Sequence, residues 1–164
     1  MIATTTCQSP LGALTLAAEE GRLIGLWLPG QKYFAAGIHE PMRPQDDLPI
    51  FMQAKAWLSR YFAGQRPTIT ELPLAPRGSD FQQAVWQCLC EIPYGQTTSY
   101  GQITQAIGCR SAQAVGGAVG RNPISIIVPC HRVIGSTGKL VGYGGGLDKK
   151  IVLLELERKH HDNG

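Results

Sequence analysis

The chain has 164 residues, 43% of them hydrophobic and 16% charged, with a formal net charge of +3. That length supports one good core, or two small subdomains sharing one, and the composition is that of a globular protein. No apolar run approaches the roughly 18 residues of a membrane span, "MIATTTCQSP" lacks the basic-then-apolar pattern of a secretory signal, and the small net charge names no partner by itself.

The first 28 residues read as strands, because "ALTLAAEEGRLIGLWL" is two apolar runs around "EEGR", a hairpin signature. Residues 29–46 carry Pro29, Pro41 and Pro44 and read as loop. "DDLPIFMQAKAWLSRYFAG" predicts a helix over residues 47–63, with acids at its start and Gly64 at its end. Its apolar positions are Phe51, Ala54, Trp57, Leu58 and Tyr61. "RPTITELPLAPRG" predicts a short strand and then a proline-punctuated linker, which divides the chain into 1–78 and 79–164. Ser79 is a good N-cap for the next helix, whose apolar face is Phe81, Val85, Cys88, Leu89 and Ile92 and which Pro93 and Gly95 stop. A short helix over 99–107, a tight turn at 108–110 and a second helix over 111–120 make a helix-turn-helix candidate, a pattern shared with generic helical hairpins. "NPISIIV" reads as a strand, Gly-rich loops follow, and "LDKKIVLLELERKH" is the closing helix before a frayed "HHDNG".

The fold class these elements predict is an α/β N-terminal subdomain, a small antiparallel sheet plus a helix, followed by a mainly α C-terminal subdomain. Five cysteines show no disulfide spacing. Cys88 and Cys90, two apart on a helix, face roughly 200° apart and make a poor chelate. Reduced thiols in a cytoplasmic protein, without a metal, are the expectation.

Two features ask for a function. From Ile92 to Leu147 there is no Asp or Glu, and these 56 residues hold Arg110, Arg121, Arg132, Lys139 and 12 of the 20 glycines. A window free of carboxylates suits a polyanion, though a Gly-rich loop region without acids would look the same. Within it, the helix over 111–120 is almost without side chains, and its paired glycines cost about 1 kcal/mol each relative to Ala. Such a helix brings its backbone close to another surface, either a neighbouring element or a groove of DNA. The second feature is "IIVPCHRVIG". A thiol is nucleophilic as thiolate, and an imidazole can take its proton. Yet Cys130 and His131 are consecutive, and neighbours in an extended chain face opposite ways. Either the backbone turns there or a water bridges them.

"PCHRVIG", preceded by "NPISIIV" and followed by "GYGGG", resembles the active-site signature of the O6-alkylguanine-DNA alkyltransferases, the methylated-DNA–protein-cysteine methyltransferases. The resemblance extends over residues 79–158 through "FQQAVW" and "IPYGQTTSYGQI", and more loosely over the first half through "SPLGALTLA" and "YFAGQ". It implies a ribonuclease H-like first subdomain and a winged-helix-like second one. It also implies direct-reversal repair: an alkylated guanine, and with it O4-alkylthymine, is flipped from duplex DNA and its alkyl group passes irreversibly to the protein's own cysteine. No cofactor is implied, and the product thioether means one turnover.

By that resemblance Cys130 is the acceptor, and His131 the base acting through a bridging water. Glu157 orients His131; helical spacing alone leaves Glu155 and Glu157 open, and the family match selects Glu157. Asn122 braces the turn that presents the cysteine. Tyr100 rotates the 3′ phosphate and protonates the departing base at N3. The pocket is made by Val133, Tyr143, Gly144, Gly145 and Ser125, with the Gly144 N–H donating to guanine O6 and the carbonyls of Cys130 and Val133 reading the exocyclic amine. The DNA face comprises Tyr100, Gly101, Ala112, Gln113, Ala114, Gly116, Arg121 and Ser136, with the second helix in the minor groove. Gln113 stands where the family often has an arginine that fills the gap left by the flipped base. A monomer is expected, with cooperative binding along DNA left open. Two other readings compete: a lesion-sensing DNA-binding protein without transfer chemistry, whose known relatives lack the cysteine, and a Cys-His hydrolase, which usually draws its pair from distant parts of the chain.

Overall fold

Three strands open the chain, β1 (Ile2–Ser9), β2 (Gly12–Glu19) and β3 (Arg22–Trp27). They form an antiparallel meander, Thr5 opposite Leu16 and Leu16 opposite Leu26. Glu20 and Gly21 both have positive φ, at 52° and 75°, which is the geometry of a tight hairpin turn. In the computed structural model, which describes residues 1–109, 111–135, 138 and 143–161, the sheet order is β3-β2-β1-β4. The edge strand β4 (Met42–Pro44) lies within the predicted loop and runs parallel to β1. Three exposed residues carry no apolar alternation, so no pattern in the sequence announces it.

Helix α1 (Pro49–Phe62) covers one face of the sheet with Phe51, Ala54, Trp57, Leu58 and Tyr61, all buried. The other face holds a smaller cluster of Ile2, Ala17, Ile24 and Trp27. There the Trp27 ring lies on Gly25, where a Cβ would fall 2.1 Å from it, so Gly25 is required by packing. The predicted strand after α1 is instead a 3-10 turn at Ile69–Glu71, because Thr68 and Glu71 form a reciprocal capping box.

The second half is mainly helical. Helix α2 (Asp80–Cys90) is capped by Ser79 and Gln82 in another capping box, and Gly95 takes positive φ after it. A two-residue strand β5 (Thr98–Ser99) leads into α3 (Tyr100–Ala106), and Gly108 with φ +69° begins the turn toward α4 (Ala112–Gly120). The Trp86 indole donates to the Ala118 carbonyl at 2.9 Å and fastens α2 to α4. Strand β6 (Val133–Ile134) pairs with β5, and α5 (Leu147–His161) closes the described chain. "NPISIIV" is not a regular strand. It makes a single bridge to the sheet edge, Leu26 N–H to Pro123 O at 2.8 Å and Ser125 N–H to Leu26 O at 3.0 Å, and then turns away. The segment that leads to the cysteine is thereby hung on β3 of the first subdomain.

Candidate active site

The turn before Cys130 is built by one side chain. The Asn122 amide donates to Val128 O at 2.8 Å and to Ile124 O at 3.3 Å, while its oxygen accepts Ile124 N–H at 3.0 Å. These bonds answer backbone groups that a strand would have paired, so the chain folds over itself. Ile126 sits at φ +72°, an uncommon conformation for a β-branched residue, and stays there because its neighbours are fixed on both sides. Cys130–Arg132 then form a 3-10 turn. The backbone therefore does turn between the two consecutive residues. Cys130 borders a cavity while His131 points into the core with no exposure.

His131 Nε2 lies 2.6 Å from Glu157 Oε2, and Glu157 is itself buried on α5. Glu155 is exposed and pairs with Arg158, so of the two carboxylates left open by helical spacing it is Glu157 that meets His131. The Glu157 carboxylate accepts from Arg132 Nε at 2.8 Å, Arg132 Nη2 at 3.0 Å, Gly95 N–H at 3.2 Å and the Tyr61 hydroxyl at 2.6 Å. Burial alone would raise its pKa, but the bonds to His131 and Arg132 and the Arg132 charge outweigh that and hold the carboxyl well below the usual range. His131 is pushed down by burial against the pull of Glu157, so its neutral form is favoured. Its Nδ1 is buried with no hydrogen-bond partner among the described residues. Burial pushes the Cys130 thiol up, opposed by the Asn122 side chain and the charge of Lys150. The resting site thus favours a thiol and a neutral imidazole, with Lys150 beside the sulfur and Glu157 beside the ring. Moving the proton from Cys130 to His131 would set each new charge next to its opposite.

The cavity in front of Cys130 has a volume of about 930 Å³. Tyr100, Asn122, Ser125, Tyr143, Gly144 and Gly145 border it from the second half. Pro29 through Tyr33 border it from the first, a contribution the sequence reading missed. That loop is tied in: Lys32 N–H donates to Gly144 O at 2.9 Å, and Gln31 Oε1 accepts both Leu28 N–H at 2.9 Å and the Ser125 hydroxyl at 3.1 Å. No local motif marks Gln31, because the partner that ties it to the second half, Ser125, lies 94 residues away. Gly145 is buried, and a Cβ there would fall 3.0 Å from the Tyr143 ring and 3.1 Å from Leu28. Tyr143 presents a buried hydroxyl beside Cys130 and Ser125 and is pushed well above its ordinary pKa, first by burial. Val133 does not border the cavity directly. Its carbonyl accepts Lys150 Nζ at 2.6 Å, and the Cys130 carbonyl accepts Val133 N–H, so each retains one lone pair.

On α4, Ala112, Gln113, Ala114 and Gly117 are exposed, while Val115, Ala118 and Val119 face the core. A Cβ on Gly116 would meet the Tyr100 ring at an ordinary 3.8 Å, and one on Gly117 or Gly120 would meet nothing within 4 Å. Packing against a neighbouring element therefore does not require these glycines. Gly101 is exposed at the start of α3, and the exposed Arg121 stacks on Tyr33 at 4.5 Å. Of the cations in the acid-free window, Arg132 is spent internally on Glu157 and Ile92 O, and so does not face a polyanion. Ser136, Arg110 and Lys139 lie outside the described residues. Cys7, Cys88, Cys90 and Cys109 are free and half-buried. No group of three potential metal ligands occurs among the described residues, and none of their helices is long and apolar enough to cross a membrane.

Comparison with known proteins agrees with this geometry. Residues 2–76 match the ribonuclease-like domain of 6-O-methylguanine DNA methyltransferase, and residues 80–159 its DNA binding domain. The chain is 49% identical over 163 residues to a methylated-DNA–protein-cysteine methyltransferase of Mycolicibacterium paratuberculosis, covering 98% of this chain and 94% of that one. The protein of that name from Methanosarcina barkeri is 47% identical, with 93% and 95% covered. The crystal structure of the Mycobacterium tuberculosis O6-methylguanine methyltransferase superposes with a TM-score of 0.84 at 48% identity, covering 98% of this chain and 94% of that one. A crystal structure of the same organism's OGT in complex with DNA gives 0.83 at 46%, covering 97% and 93%. A cavity-lining cysteine next to a buried His–Glu pair, a bare helix beside it and matches over nearly the whole chain lead to one conclusion: the chain belongs to the methylated-DNA–protein-cysteine methyltransferase family.

Proposed function

We propose that this protein repairs duplex DNA by taking the O6-alkyl group of an alkylated guanine, and that of O4-alkylthymine, onto Cys130. The observation that carries the reading is the 3-10 turn that puts the Cys130 sulfur at the cavity and His131 in the buried pair with Glu157. The thiol proton passes through a bridging water to His131 Nδ1, which has no protein partner among the described residues. Glu157 stabilises the imidazolium. The thiolate attacks the alkyl carbon, the carbon–O6 bond breaks, and the leaving guanine collects negative charge. A Gly144 N–H at O6 and the Tyr100 hydroxyl at N3 answer that charge, and the Tyr100 proton is made up from the imidazolium through solvent. The Cys130 carbonyl, at the cavity, reads the exocyclic amine with its second lone pair; Val133, away from the cavity, holds Lys150 instead. The Cys130 thioether is the end point, so each molecule acts once. In its place in the minor groove, α4 presents Ala112, Gln113, Ala114 and Gly116, and Gln113 fills the gap left by the flipped base without adding charge. Gly101, Arg121 and Ser136 complete the contact. The two working parts are 1–78 and 79–164. The chemistry needs a reduced thiol, which the cytoplasm supplies.

The test is intact mass and peptide mapping after incubation with a duplex carrying one O6-methylguanine. Replacing the thiol proton by a methyl adds one methylene, about 14 Da, on Cys130 at a one-to-one end point, and Cys130→Ser binds the duplex without any gain. Tight lesion binding by the native protein with no gain in mass would replace this reading by that of a lesion sensor.

A further inference from the structure

The Glu157 carboxylate takes five hydrogen bonds, and four of them come from the second half of the chain: His131, Arg132 twice and Gly95. The fifth comes from Tyr61 on α1, 96 residues away in sequence and 1% exposed. Tyr61 does not merely reach the carboxylate. It donates to Oε2, the same oxygen that meets His131 Nε2, and both distances are 2.6 Å. Its ring is held from several sides, stacked on Trp57 at 5.7 Å and edge-on to Phe62 at 5.2 Å and Tyr94 at 6.1 Å. The hydroxyl therefore has little freedom to find another partner.

We infer that Tyr61 is a positioning residue of alkyl transfer, through which the first subdomain sets how strongly Glu157 supports His131. This rests on the roles proposed above for Cys130, His131 and Glu157. A donor on a carboxylate oxygen spreads the charge that the oxygen would otherwise offer its other partner. Tyr61 and His131 compete for one atom, so the phenol restrains the imidazolium and keeps the resting site neutral. The phenol stays protonated, since burial first and then the Glu157 charge hold it well above its ordinary value. Other charged and titratable groups also face the relay. Arg132 and Tyr94 face Tyr61, Arg132 and Lys150 act on His131, and Lys150, Tyr143 and Tyr100 surround the Cys130 sulfur. Removing the phenol oxygen leaves Glu157 anchored by both Arg132 nitrogens and Gly95, and cuts the donors on Oε2 from three to two, His131 and Arg132 Nη2, without releasing the carboxylate.

The experiment is the pH dependence of Cys130 alkylation by iodoacetamide in the full chain, located by peptide mapping because four other thiols are present. Tyr61→Phe lowers the midpoint of Cys130 reactivity by about half to one pH unit, the size expected when a charged acceptor loses one donor one step away from the titrating pair. Trp57→Phe loosens the same helix, because it loses the indole bond to Thr68 O at 2.8 Å, but it keeps the phenol. It therefore lowers the thermal midpoint and leaves the pH midpoint in place. An unchanged or upward midpoint in Tyr61→Phe overturns the inference, and so does an equal shift in Trp57→Phe. Stoichiometric methyl transfer from duplex O6-methylguanine is followed in parallel. Its absence in the native protein would remove the proposed function itself, whereas its presence with an unmoved pH midpoint would remove only the role of Tyr61.

Discussion

Replacing Glu157 by Gln separates the two jobs of that carboxylate. The substitution keeps the volume and most hydrogen-bonding capacity but removes the charge. Arg132, 8% exposed, is then a buried cation without its anion. Breaking such a pair from one side costs about 3–5 kcal/mol of folding free energy. The second job is the one proposed for it in alkyl transfer. With His131 Nε2 and Glu157 Oε2 2.6 Å apart, the charge centres of an imidazolium and the carboxylate lie close together. At about 4 Å and an effective dielectric constant of about 20, their attraction is roughly 4 kcal/mol. The amide dipole recovers part of it, so transfer at pH 7 slows by about two to three orders of magnitude. Urea unfolding reads the first effect and single-turnover transfer the second. The pH dependence adds a check. The Glu157 pKa is lower folded than unfolded, so the stability this provides is full above the unfolded value near 4.3 and is lost as pH falls toward the folded value. His131 is also lowered on folding, more so in the variant, and that stability is lost as pH falls below its unfolded value near 6.5. The gap between native protein and variant therefore widens slightly only as pH falls through the native folded value of His131, which lies under about 6.5, and closes below about pH 4.3 as Glu157 is protonated in the unfolded chain. A variant that transfers within threefold of the native rate, or a gap that does not close in acid, refutes the relay and the ion pair respectively.

Tyr100→Ala slows repair of duplex at least tenfold more than reaction with a free O6-alkylguanine base, because unstacking costs a few kcal/mol that the free base never needs; equal slowing in single-turnover assays removes its part in flipping. Gly117→Ala raises the thermal midpoint, since the exposed position gains up to about 1 kcal/mol of helix propensity and meets no neighbour. The same variant weakens duplex binding severalfold in a titration if α4 enters a groove, and unchanged affinity would argue that it does not. Gln113→Arg tightens duplex binding and steepens its salt dependence by up to about 0.9 in the log–log slope, because a cation in the gap left by the flipped base lies between the phosphate strands; a parallel plot would show that residue 113 does not enter the duplex.

The parts of this protein that were legible in the sequence are those fixed by near neighbours. Ser79 with Gln82, Ser99 with Gln102, and the Glu20–Gly21 hairpin each specify their element within a few residues. The motif around Cys130 and the bare helix over 112–120 were legible for the same reason: their chemistry is written in consecutive residues. The irregular path of 123–129 was not, because "NPISIIV" has the composition of a strand. Asn122 and the edge of β3 take its backbone bonds and leave it no strand partner. The short strand β4 was missed because three exposed residues have no periodicity to read.

The family was legible from the sequence alone, with Cys130 and His131 as its candidate pair, since a dense local motif admits few alternative meanings. Only the tertiary structure shows which charges surround Cys130 and His131. Arg132 reads as a surface cation in a polyanion-binding window, yet it is buried against Glu157. Gln31 and Tyr61 read as an ordinary loop amide and a core aromatic, yet they reach Ser125 and Glu157 across 94 and 96 residues. A buried polar group takes its meaning from its partner, and partners brought together by docking one subdomain on another leave no spacing in the chain from which they could be read.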